Sequence, residues 1–247
     1  MQGPLPGTLS EFWRLVWEQR VGVVVMITNT VEQGKRKCEQ YWPELGAGAA
    51  VFGLLEVSLV QESVQAHCTV RTLRLRHTRL NKRERGPGAV REVTQHQYTS
   101  WPDHGTPTNI APVLSFIKKS SAACQVRADS RHLSPHLASQ ETEGPLLVHC
   151  SAGVGRTGTY IVIDSMLKQL RAKGEINIAS FLSHIRHQRA FLVQTEDQFR
   201  LIHDTLGECG YIVCQLVTLL TISRGHSERG DQYKDLLLDA LHQQSPE

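Results

Sequence analysis

The strongest constraint in this sequence is Cys150-Ser-Ala-Gly-Val-Gly-Arg156, a cysteine and an arginine six positions apart with small residues and one valine between them. Leu146 to His149 before it is an apolar run that reads as a strand. Tyr160, Ile163, Leu167 and Leu170 after it fall at helical spacing. Successive backbone N–H groups in such a tight strand-to-helix turn can converge on an anion, and the helix adds the positive end of its dipole. A phosphate fits there. Arg156 can grip two phosphate oxygens through its planar fork, which a lysine could not do. The same positive field favours the thiolate form of a cysteine, so Cys150 reads as a nucleophile aimed at phosphorus. A buried strand-end thiol is the commoner fate of a cysteine taken alone. The arginine, the glycines and the strand–turn–helix setting together favour the nucleophile.

Two rival motifs overlap the loop. Gly153-x-Gly155-x-x-Gly158 satisfies the dinucleotide fingerprint, but Glu175, about 20 residues on, precedes no convincing second strand. Gly153-x4-Gly158 is followed by Thr159 where a nucleotide-phosphate loop requires Lys then Ser or Thr. Metal ligation is also disfavoured, since His184-x-x-His187 and His132-x3-His136 lack neighbouring cysteine or carboxylate partners. No cofactor or metal is expected. Lys and Arg total 27 against 24 Asp and Glu, a net charge of +3 that suggests no nucleic-acid partner. Arg71, Arg74, Arg76, Arg79, Lys82, Arg83 and Arg85 form a local basic cluster that reads as a solvated strand face and loop. Six irregularly spaced cysteines fit a reducing compartment better than a disulfide scaffold. The apolar run from Tyr211 to Ser223 falls short of the roughly 18–20 residues a membrane span needs, and Met1-Gln-Gly-Pro-Leu-Pro6 does not read as a secretory signal. Together these predict a cytoplasmic chain.

Patterning around the loop predicts a twisted, mixed central β-sheet flanked by helices, an α/β class. Leu9, Phe12, Trp13 and Val16 mark a helix over Thr8 to Gln19. Val21 to Thr28 is a β-branched run suited to a strand covered on both faces and central in the sheet. Thr69 to Leu80 and Ala89 to Thr99 read as strands. A helix begins at Ile110, with Pro112 tolerated in its first turn. Helices also fit Ile178 to Arg189 and Thr195 to Leu206, the latter opened by the capping box Thr195-x-x-Gln198. Residues 119–145 lack periodicity and are expected to be a flexible insertion. A domain over 1–206 is expected, with 207–247 as a tail that ends in an amphipathic helix around Leu236, Leu237 and Leu241.

A thiolate that displaces a phenoxide from phosphorus needs an acid to protonate the leaving oxygen, because phenol's pKa is about 10. Asp103, in Trp101-Pro-Asp-His-Gly105, is a candidate on a turn-like segment, although such a turn aspartate is common. Val148-His-Cys-Ser-Ala-Gly-Val-Gly-Arg-Thr-Gly158, Trp101-Pro-Asp103 and Val193-Gln-Thr-x-x-Gln198 occur here together and in that order. In this the chain resembles the tyrosine-specific protein phosphatases. Gln2-Gly-Pro-Leu-Pro-Gly-Thr8, Phe12-Trp-Arg-Leu-Val-Trp-Glu-Gln19 and Val31-Glu-x-Gly-x-x-Lys-Cys-x-Gln-Tyr-Trp-Pro43 extend the resemblance over about residues 2–206. Met26-Ile-Thr-Asn29, Ser120-Ser-Ala-Ala123 and Thr159-Tyr-Ile-Val-Ile-Asp-Ser-Met166 look closest to receptor-type members of the gamma and zeta kind.

The resemblance implies hydrolysis of phosphotyrosine in proteins through a phosphocysteine intermediate. Cys150 would be the nucleophile, Arg156 the phosphate clamp, and Asp103 the general acid and then base. Gln194 and Gln198 would orient the attacking water, and Thr157 would hydrogen-bond the departing thiolate. Ser151, Ala152, Gly153, Val154 and Gly155 would bind the phosphate. Trp101 would hinge the acid loop, Glu32 would brace Arg156, Lys37 would approach the acid loop, and His149 would be a hydrogen-bonded core histidine. Family members carry an earlier block whose tyrosine walls the pocket. The sequence begins after it, which implies weaker selectivity over phosphoserine. A noncatalytic phosphate- or partner-binding module is the competing expectation.

Overall fold

The computed structural model describes residues 1–79, 90–132 and 144–223, with side chains for all of these except 125–132 and 211–223. A six-stranded mixed sheet is its frame, with strand order β4-β5-β6-β7-β1-β8. The strands are β1 Val23–Met26, β4 Ala49–Phe52, β5 Leu55–Val64, β6 Cys68–His77, β7 Val90–Tyr98 and β8 Leu147–His149. β1 runs parallel to both β7 and β8, whereas β4 to β7 pair antiparallel. β2 Val31–Glu32 and β3 Lys35–Arg36 form a separate small hairpin. The helices are α1 Leu9–Glu18, α2 Ile110–His132, α3 Gly155–Lys173, α4 Ile178–Gln188 and α5 Glu196–Ser223.

All four residues of β1 are buried, as its uninterrupted apolar run predicts. The strand is interior but lies one position from the sheet edge rather than at the centre. Side chains alternate across a strand, so Val23, Val25 and Ile27 face a core built with α2, α3, α4 and α5. Val24 and Met26 face the other layer, where Phe12, Trp13 and Val16 of α1 pack with Tyr41, Leu73, Leu75 and Val93. Both faces being covered, β1 and β8 end together beneath the loop that follows His149.

Three expectations change. Helix α2 does not fade at residue 119 but runs on to His132. Its polar Ser120 is buried because the hydroxyl bonds the Phe116 carbonyl at 2.8 Å and the Tyr160 hydroxyl at 2.8 Å. Residues 133–143 of the expected insertion lie outside the described residues. The helix expected to end at Leu206 also runs on, since α5 continues through Gly207 and Gly210, and Leu206 and Cys209 are both in the core. The amphipathic helix expected around Leu236 lies outside the described residues. The basic strand face is largely neutralised across the sheet: Arg71 Nε lies 2.6 Å from Glu62, Arg74 lies 3.5 Å from Glu92, and Arg76 pairs with Glu56. Lys82, Arg83 and Arg85 lie outside the described residues. Sequence patterning also did not anticipate the β4–β5 hairpin, whose β4 carries no fully buried residue and whose Val60 and Val64 are exposed.

Candidate active site

Residues 150–156 leave β8 and enter α3 at Gly155, directly after the buried His149. Five successive carbonyls of this turn each accept a hydrogen bond. His149 Nδ1 lies 3.1 Å from the Cys150 carbonyl, and Gly3 N–H donates to Ser151 O at 2.9 Å. Arg189 donates from Nη2 to Ala152 O at 3.2 Å and from Nε to Gly153 O at 3.1 Å. Val154 O accepts from Gly158 N at 2.9 Å and Val193 N at 3.2 Å. In a trans peptide the C=O and the next N–H point opposite ways. Engaging these five oxygens therefore turns the N–H groups of residues 151–155 away from those donors. Gly153 N–H shows the result by donating to Cys150 Sγ at 3.3 Å.

Thr157 Oγ1 donates to the same sulfur at 3.1 Å. Two donors thus aim at one sulfur, at the N-terminus of a 19-residue helix whose first turn has no side-chain cap. The close turn needs its glycines. Gly153 has φ +74° and leaves no room for a Cβ, which would sit 2.2 Å from the Met1 carbonyl oxygen. A Cβ at Gly155 would meet the Gln198 amide at 2.8 Å.

Arg156 is held by Glu32 through a two-pronged pair, Nη1–Oε1 at 2.7 Å and Nη2–Oε2 at 3.0 Å. Glu32 is itself buried and also accepts from Thr28 Oγ1 at 3.0 Å and Asn29 N at 3.1 Å. Burial pushes its carboxyl pKa up. The Arg156 hydrogen bond, the Asn29 amide, the Arg156 charge and the Thr28 hydroxyl outweigh burial and hold it below the ordinary value. The guanidinium also reaches the acid-bearing loop. Its Nη2 lies 3.5 Å from the Pro102 carbonyl, and its carbon lies 5.5 Å from the Trp101 ring.

Asp103 follows Pro102 and is exposed. Trp101 anchors the loop: it is buried, and its Nε1 donates to Gly105 O at 3.2 Å. His104 meets Gln33 of the β2–β3 turn at 2.8 Å, so the hairpin leading to Lys37 touches this loop. Lys37 itself is half-buried, and its backbone N–H bonds Thr30 O at 2.8 Å.

On the opposite side, Gln198 is buried and Gln194 exposed. The capping box is formed, with Gln198 N bonding Thr195 Oγ1 at 3.3 Å and Gln198 Oε1 accepting from Gln194 N at 2.9 Å and Thr195 N at 3.4 Å. The turn before it is strained, because Val193 has φ +60°, a left-handed value that is unusual for a β-branched residue. Arg186 clamps it, donating to Leu192 O at 2.8 Å and Val193 O at 2.6 Å. Gly158 lets the turn approach α3, as its Cβ would lie 2.4 Å from Val193 N.

His149 has a definite tautomer. A carbonyl cannot donate, so Nδ1 must carry the proton towards Cys150 O, and Nε2 then accepts from the Tyr41 hydroxyl at 2.9 Å. Burial, partly offset by the Cys150 carbonyl and reinforced by the charged amino terminus, pushes the ring pKa down to about 4. It is a neutral strut and not a base at neutral pH.

Sequence reasoning did not single out Arg189, Tyr41, Thr28, Asn29 or Gly3. The Val193-Gln-Thr run pointed near Arg189, but only the fold shows its guanidinium turning back onto the loop. His184 and His187 are exposed on α4, bonded to Gln188 and to the Ser183 carbonyl. Among the described residues no helix is long and apolar enough to cross a membrane.

Comparison with known proteins agrees with this geometry. The family model described as protein-tyrosine phosphatase matches residues 1–208. A putative receptor-type tyrosine-protein phosphatase, mosPTP-1 of Aedes aegypti, is 52% identical over 207 residues, 84% of this chain and 14% of that protein. Tyrosine-protein phosphatase 99A of Drosophila melanogaster is 51% identical over 207 residues, again 84% and 14%. Human receptor-type tyrosine-protein phosphatase zeta is 50% identical over 208 residues, 84% of this chain and 8% of that protein. The chain thus spans about a seventh or less of the length of these relatives. With the sulfur, the guanidinium and the outward-held carbonyls in place, this chain belongs to the protein-tyrosine phosphatase family.

Proposed function

We propose that the chain hydrolyses phosphotyrosine in proteins, on the cytoplasmic side, through a covalent phosphocysteine. The observation that carries this reading is Cys150 Sγ receiving the Gly153 N–H and the Thr157 hydroxyl inside a turn whose carbonyls are all engaged outward. The sulfur attacks phosphorus, forming the S–P bond as the P–O bond to the phenol breaks. Arg156 and the amides of Ser151 to Gly155 hold the three phosphoryl oxygens, whose charge spreads in the transition state. Asp103 protonates the departing phenoxide. It then takes the proton of a water oriented by Gln194 and Gln198 as that water attacks phosphorus, while Thr157 stabilises the thiolate that leaves. Glu32 keeps the Arg156 fork planar to the site, Trp101 hinges the acid loop, and Lys37 attends it from the hairpin. Because each chemical role has a residue, the noncatalytic reading is not favoured.

The test is turnover of an aryl phosphate and a phosphotyrosine peptide by the purified chain. We expect activity that survives EDTA and is lost in Cys150→Ser. Activity abolished by EDTA, or a fully active Cys150→Ser variant, would overturn the proposal.

A further inference from the structure

We infer that Arg189 is a positioning residue for the phosphate loop: gripping the Ala152 and Gly153 carbonyls from outside, it holds the Gly153 N–H on the nucleophilic sulfur. The inference deepens the function proposed above and rests on it. Arg189 is the C-cap of α4, and its own N–H closes that helix on Ile185 O at 3.0 Å. The side chain of such a residue has no structural duty on its own helix. It turns instead to the loop, where Nη2 and Nε take two adjacent carbonyls at 3.2 and 3.1 Å.

The consequence follows from peptide planarity. The Ala152 carbonyl and the Gly153 N–H belong to one rigid plane. Pinning the oxygen outward points the hydrogen inward, where it meets Cys150 Sγ at 3.3 Å. The Gly153 carbonyl likewise fixes the plane that carries the Val154 N–H. Glycine at 153, with φ +74°, is the residue most free to rotate these planes, so this is where the turn needs an external hold. The other carbonyls have other partners: His149 and Gly3 for Cys150 and Ser151, and the Gly158 and Val193 amides for Val154. A guanidinium offers two N–H donors from separate nitrogens in a planar fork, a geometry that the single ammonium nitrogen of lysine does not reproduce.

The experiment measures tungstate binding by calorimetry, independently of turnover, in wild type, Arg189→Lys and Arg189→Met. Iodoacetamide alkylation of Cys150 at about pH 6 and thermal unfolding accompany it. Arg189 is exposed, so the variants are expected to fold with unfolding temperatures close to wild type. Arg189→Met is expected to lower tungstate affinity about tenfold, the scale of one or two charge-assisted hydrogen bonds partly replaced by water. Alkylation should slow in parallel, and Arg189→Lys should fall between. Loss confined to unfolding temperature, or tungstate affinity and alkylation within twofold of wild type in Arg189→Met, would overturn the inference. A wild type that binds tungstate but turns over no aryl phosphate would remove the catalytic reading and leave the variants to decide this one. A wild type that binds no tungstate would overturn both.

Discussion

Glu32→Ala tests whether Arg156 works because it is braced. Glu32 accepts four hydrogen bonds, two of them from the Arg156 fork at 2.7 and 3.0 Å. The side chains are only 4% and 16% exposed, for Glu32 and Arg156 respectively. Removing one partner of a fully buried ion pair costs about 3–5 kcal/mol. Arg156 retains an open side towards the site and can recover some hydration, so the loss expected here is about 2–3 kcal/mol. That leaves most folds of this size intact, given a total stability of about 5–15 kcal/mol. Activity should fall further than stability suggests, by about 10- to 100-fold in kcat/KM, because the fork must meet two phosphoryl oxygens in one orientation. Urea unfolding and aryl phosphate kinetics on the same preparation provide the assay. Acid adds a second arm. The Glu32 carboxyl is held below its ordinary value in the fold, so its stabilisation is complete above about pH 4.3 and is lost as pH falls through the folded value. The variant should therefore show a flatter stability profile in that acid range. A stability change under about 0.5 kcal/mol with kcat/KM within twofold would refute the brace.

Other residues give sharper single outcomes. Asp103→Asn should lower kcat by about 10² to 10⁴ while tungstate affinity holds, as expected for a lost proton donor; an unchanged kcat would assign the acid elsewhere. His149 titrates at about 4 in the fold against about 6.5 unfolded, so the unfolded chain binds the extra proton between these values. Its contribution, about 3 kcal/mol, should be complete above about pH 6.5 and lost as pH falls towards 4, and His149→Gln should flatten urea-unfolding stability over that window. Gly158→Ala should destabilise by about 1–3 kcal/mol and reduce turnover, because the new Cβ meets Val193 N at 2.4 Å. Helix propensity alone predicts the opposite sign, so a more thermostable, active variant would discount the contact.

The turn from Cys150 to Arg156 was legible because its pattern is local. A cysteine, an arginine and two glycines at a strand-to-helix turn already mark a candidate anion site, and the structure places Cys150, Thr157 and Gly153 in contact. β1 was legible too, because a strand buried on both faces needs an unbroken apolar run. The hold on the loop was not legible: Gly3 and Arg189 reach it from positions about 150 residues before and about 35 after, and no spacing rule links them. Helix α2 beyond residue 119 was missed because Ser120 looks like a loop residue until Tyr160 is seen to satisfy its hydroxyl. Edge strand β4 and its neighbour β5 were missed for the converse reason, since half-exposed strands carry little of the alternation that reveals a buried face. The ion pairs of the basic strand were not legible because charge signs in one strand say nothing of the carboxylates on its neighbours.

The central claim is that the Cys150 sulfur becomes covalently phosphorylated. Rapid mixing with an aryl phosphate, acid quenching and mass analysis of the peptide containing Cys150 tests it most directly, in the Gln198→Ala background where hydrolysis should be slowed. The account predicts one phosphoryl group on Cys150, appearing with the burst of released phenol and absent from Cys150→Ser. Phenol release with no phosphoryl group on that peptide would contradict it.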